Sequence, residues 1–73
     1  MDLKFIKRNL YGNTYVYLYA AKDRYWKINV DIPMPKIIQV FKQDLRGNKF
    51  SKYLFKGEFK NFNQAKQFIK EAA

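Results

Sequence analysis

Residues 14–32 read TYVYLYAAKDRYWKINVDI, and the way the two halves of this stretch pair decides the fold. Residues 14–20 alternate strictly, which is the period of a strand. Val16 and Leu18 project to one side, and Tyr15, Tyr17 and Tyr19 to the other. Residues 25–32 alternate again, with Trp26, Ile28, Val30 and Ile32 on one side and Tyr25, Lys27, Asn29 and Asp31 on the other. The segment AAKDR between them supplies a hairpin loop. Opposed residues of an antiparallel pair have position numbers with a constant sum. Pairing Tyr19 with Tyr25 sets Leu18 opposite Trp26 and Val16 opposite Ile28. One face is then wholly apolar, and the other carries four tyrosines with Lys27 and Asn29. A slip of one residue mixes the two sets, so this is the register the sequence predicts.

The flanks add further elements. Residues 3–8 (LKFIKR) can form a short first strand, and YGN at 11–13 is a turn signal. Pro33 and Pro35 in PMP end the second strand of the hairpin, because proline cannot donate to a ladder. The segment at 36–46 fits two periods. Met34, Ile37, Ile38, Phe41 and Leu45 share one face of a helix stopping at Gly47, whereas IIQVF is rich in strand formers and RGN makes a hairpin turn. The composition favours a strand. Residues 50–56 (FSKYLFK) read as another strand, with Tyr53 and Phe55 facing inward and continuing to Phe59, and Lys52 and Lys56 facing out. The last element is a helix. Asn61 is its N-cap, with Gln64 three residues on, and Phe62, Ala65, Phe68, Ile69 and Ala72 follow helical spacing. The expected architecture is α+β: an antiparallel sheet of three to four strands with one C-terminal helix packed on one face, forming a single small domain over residues 1–73.

A chain of 73 residues has a thin core, since a domain this small buries only roughly 60% of its unfolded surface. There is no cysteine and no histidine. A disulfide and a zinc site of the usual Cys/His kind are excluded, as is histidine acid–base chemistry. Aromatic burial must do the stabilising: seven Phe, six Tyr and one Trp make up 19% of the chain. Asp23, Asp31, Asp44 and Glu58 show neither a metal-ligand spacing nor the pairing of a catalytic dyad, and there is no glycine-rich phosphate loop. The sequence therefore predicts a protein that is not an enzyme and takes no cofactor or metal. No apolar run reaches the length of a membrane span, and the start, MDLKFIKRNL, lacks the apolar segment of a signal peptide. The expectation is a cytoplasmic protein with no membrane partner.

Charge points to the partner. Fifteen Lys and Arg against six Asp and Glu give a net charge of +9. Lys36, Lys42, Arg46, Lys49, Lys52, Lys56 and Lys60 crowd the middle of the chain, opposed there only by Asp44 and Glu58. Such a bias attracts polyanions, nucleic acid first and an acidic protein second. If the helix covers the apolar face, the open face shows Tyr15, Tyr17, Tyr19, Tyr25, Lys27, Asn29, Lys52 and Lys56. Tyrosine offers a ring and a phosphate-binding hydroxyl, lysine a phosphate contact, and Asn29 a carboxamide suited to an adenine edge. These residues are the candidate nucleic-acid site. The same tyrosines also make good cross-strand packing pairs, or a protein interface.

Two segments carry a resemblance. YWKINVDI at 25–32 and KYLFKGEFKNFNQAKQFIKEAA at 52–73 resemble the three-strands-and-a-helix domain of plant ethylene-response factors. They are also similar to the amino-terminal arm-binding domains of phage and transposon integrases. In both, the last strand runs into Gly-x-Phe, a capping residue and an Ala-containing helix, here Gly57, Phe59, Asn61 and Ala65. The resemblance implies a DNA-binding module of a mobile element, phage or host, with the open sheet face in the major groove of duplex DNA and the helix behind it. The alternative function is a small basic protein-binding module, such as a phage-type inhibitor docking on an acidic or nucleic-acid-handling protein.

Overall fold

The computed structural model describes residues 3–22, 24–31, 37–44 and 52–72. It is a five-stranded antiparallel meander followed by a helix. The strands are β1 (Lys4–Tyr11), β2 (Thr14–Ala21), β3 (Arg24–Asp31), β4 (Ile38–Asp44) and β5 (Lys52–Phe59), and the helix is α1 (Phe62–Ala72). Each strand lies beside its neighbours in sequence, in the order β1-β2-β3-β4-β5. The α+β class with a C-terminal helix is as expected; the strand number is larger. The first strand is long enough to pair along β2, and the segment that fitted two periods is a strand, as its β-branched composition favours. The proline stop at 33–35, the turn at 46–48 and the helical-face residues Met34 and Leu45 lie outside the described residues.

The first hairpin turns tightly: Tyr11 pairs with Thr14, leaving Gly12 and Asn13 as the turn. Gly12 has φ of 61°, a left-handed conformation that costs glycine nothing. Both edge strands carry an irregularity. In β1 the register steps from Phe5 to Lys7 against Tyr19 and Leu18, leaving Ile6 unpaired. In β5 it steps from Phe55 to Gly57 against Phe41 and Val40, leaving Lys56 unpaired. Gly57 suits this point, because a Cβ there would meet the Phe59 ring at 3.3 Å.

Helix α1 starts where its cap says it should. The Asn61 side-chain Oδ1 accepts the Gln64 N–H at 2.8 Å, and the Asn61 carbonyl accepts the Ala65 N–H at 3.3 Å. Asn61→Ala removes one of these bonds and should cost about 1 kcal/mol, read as a lower urea midpoint at unchanged m-value. The helix lays Ala65 and Ile69 onto Trp26, Ile28, Ile38, Val40, Tyr19 and Ala21, which form the core. Phe62 and Phe68 flank this line and are half-buried, while Ala72 at the end of the stripe is exposed. Trp26 meets the Phe68 ring edge-on with centroids 6.4 Å apart, and Phe68 meets Phe59 at 5.2 Å.

Candidate nucleic-acid interface

The central hairpin is one residue out of the predicted register. Tyr19 pairs with Trp26, Tyr17 with Ile28 and Tyr15 with Val30. The cause is the turn. Ala21 and Arg24 pair, so the loop is two residues long, and Lys22 enters it with φ of 57°. An even-length loop joins odd positions of β2 to even positions of β3 on one face. The expected open face is corrected accordingly. Tyr15, Tyr17 and Tyr19 lie on the helix side of the sheet, together with the apolar residues of β3. Phe62 seats against Tyr17 at 4.8 Å and Tyr19 at 6.4 Å, and Phe5 meets Tyr19 edge-on at 5.6 Å. Burial raises the Tyr19 hydroxyl pKa, with the neighbouring Tyr17 adding to it. Tyr15, nearer the margin, carries the Arg8 guanidinium over its ring at 4.8 Å.

The second correction is in β5. Without a bulge, Tyr53 and Phe55 would share a face with Phe59. The unpaired Lys56 reverses the alternation, so Phe59 pairs with Ile38 on the helix side while Phe55 pairs with Phe41 and Tyr53 with Gln43 on the other. By the same parity Lys52, opposite Asp44, belongs to the helix side, and Lys56 is the exposed bulge residue. Of the eight predicted site residues, the structure brings together Tyr25, Lys27 and Asn29 on the open face.

That face is ordered in rows running across the strands. One row is Lys7, Leu18, Lys27, Phe41, Phe55 from β1 to β5. The next is Asn9, Val16, Asn29, Gln39, Glu58, in which three carboxamides align. On the other side of the lysine row lie Ala20, Tyr25, Gln43 and Tyr53, where the Gln43 Oε1 accepts the Tyr25 N–H at 3.2 Å. Thr14 donates its hydroxyl to Asp31 at 2.7 Å at the far margin.

Residues from β1, β2, β3 and β5 line one depression of about 470 Å³, with Val16 and Leu18 at its floor and Lys7, Asn9, Tyr11, Lys27, Asn29 and Tyr53 around it. The Lys27 Nζ sits 4.0 Å from the Tyr53 ring centroid, a cation–π contact worth about 0.5–1 kcal/mol at an exposed site. Burial raises the Tyr53 pKa, with Tyr25 contributing second. The Asn29 Oδ1 is enclosed and accepts no hydrogen bond; an acceptor left so costs about 1–3 kcal/mol. Lys7, Asn9, Tyr11 and Tyr53 are members of this face that the sequence reading missed. For Lys7, Asn9 and Tyr11 the signal was the alternation of β1, legible only once β1 extends to the Gly12 turn; Tyr53 reaches this face through the β5 bulge.

Among the described residues no group of three or more His, Cys, Asp or Glu can hold a metal ion, and no helix is long and apolar enough to cross a membrane. No family model, curated protein or solved structure matches this chain.

Proposed function

We propose that the protein is a nucleic-acid-binding module that takes DNA on the open face of its sheet. The observation that carries this reading is the depression itself: lysines, carboxamides and two tyrosines line it together with Val16 and Leu18, on a chain of net charge +9. Lysines at its rim attract phosphates, and amides and rings beside them suit bases. Lys27 is the central cation of the face, since it lies on the middle strand of the sheet.

A titration of labelled DNA at several salt concentrations tests the reading. Lys27→Ala should reduce the log–log salt slope by about 0.9 on duplex or about 0.7 on a single strand, the loss of one phosphate contact. Its thermal melt should move little. Binding weaker than about 10⁻⁴ M at physiological salt, the weak end of non-specific affinity, sinks the proposal. The second reading, a basic protein-binding module, is favoured by the exposed Phe5, Leu10 and Tyr11 on the edge strand β1, and it takes precedence in that event.

A further inference from the structure

We infer that the ligand is single-stranded DNA, with an unpaired base seated in the depression of the open face; this rests on the nucleic-acid reading above. Shape argues against a groove-binding mode. Five strands at about 4.8 Å spacing make a face roughly 19 Å across, wider than the major groove at about 12 Å, which admits a helix or a two-stranded ribbon. Residues of β1, β2, β3 and β5 line one depression on this face, so its middle recedes where a ribbon that fills the major groove has to project. A volume of about 470 Å³ lies in the range that encloses small ligands and suits a base rather than a stretch of duplex.

The chemistry fits an unpaired base. The Lys27 ammonium lies over the Tyr53 ring, 4.0 Å from its centroid; a base that stacks on this ring displaces the ammonium toward the strand's phosphates, and sequence-tolerant stacking is how small β-domains hold single strands. Asn29 and Asn9 line the depression, and their carboxamides are the groups there suited to pairing with a base edge. Two neighbouring rings, Tyr25 and Phe55, are 44% and 53% exposed and continue the platform beyond the depression. Val16 and Leu18 in the lining give a thymine methyl an apolar packing surface that uracil does not use, which favours the deoxythymidine strand over the uridine strand.

The test compares three labelled probes at one salt concentration: a deoxythymidine strand of about twelve nucleotides, a length within the range one small β-domain covers, a DNA duplex of equal length, and the matching uridine strand. The expected result is that the deoxythymidine strand binds at least about tenfold tighter than the duplex and tighter than the uridine strand. Tyr53→Leu, which keeps the strand and its bulk, should weaken the single-strand complex by about tenfold, as for one lost stacked base. Asn9→Asp, at the rim on the edge strand, should weaken it as well. Equal or tighter duplex binding, or equal or tighter uridine binding, overturns this inference and leaves the nucleic-acid reading standing. Preference for the single strand with both variants unaffected removes the base from the depression and overturns it too. No binding to any probe tighter than about 10⁻⁴ M overturns both readings together.

Discussion

Trp26→Ala is expected to cost about 3–5 kcal/mol, the range for deleting a buried large aromatic. The residue is 1% exposed, at the centre of the sheet, beneath the helix through Phe68. A chain of this size carries a total stability of roughly 4–11 kcal/mol, so the variant should lose a large share of it and melt far below the parent. The contribution of Trp26 is packing rather than hydrogen bonding, because its indole Nε1–H is enclosed without an acceptor. Trp26→Phe should therefore keep a cooperative melt at a lower midpoint. Retention of the parent melting temperature by Trp26→Ala would place the indole outside the core.

Tyr19→Ala carries the second large effect, about 3 kcal/mol by the same reasoning. Its ring touches Phe62 of the helix and Phe5 of the edge strand and is 7% exposed. This variant also tests the register. On the helix side, Tyr19 should matter to the melt and not to DNA affinity measured on the folded fraction. Tyr19→Phe should retain nearly all the stability, since the ring makes the contacts. A Tyr19→Ala protein that melts like the parent but loses DNA affinity would restore the one-residue-shifted pairing.

Local order was legible in the sequence. The Asn61 cap and the stripe Phe62, Ala65, Phe68, Ile69 depend on residues three and four apart, and the structure bears them out. The strand character of residues 38–44 follows from β-branched and aromatic side chains there. Two facts escaped because they reside in the backbone. A two-residue loop normally advertises itself with glycine or asparagine in the left-handed region, and here Lys22 occupies it. Alternation in β5 is reversed by the unpaired Lys56, whose one mark in the sequence is Gly57 inside a strand. Each moved a set of side chains to the opposite face. Hence Lys27, Asn29 and Tyr25 stayed on the open surface, while the tyrosines of β2 exchanged places with Val16 and Leu18. The exchange is physically sensible: the larger rings fill the space under an eleven-residue helix, with small aliphatic residues left beneath the depression.

The two bulges have a bearing on how the protein behaves in a crowd. A meander that does not close leaves two outer strands with unpaired backbone groups, ready templates for another copy of the sheet. Here the outer strands are β1 and β5, and each is broken near its middle, at Ile6 and at Lys56. A bulge bends and twists its strand, so no straight, continuous ladder of donors and acceptors is offered to a neighbour. Lys4, Lys7 and Arg8 on one rim and Lys52 and Lys56 on the other make any approach of rim to rim a meeting of like charges. A net charge of +9 adds to the effect of the kinked, cationic rims, and both oppose extension of the five-stranded sheet into the next molecule.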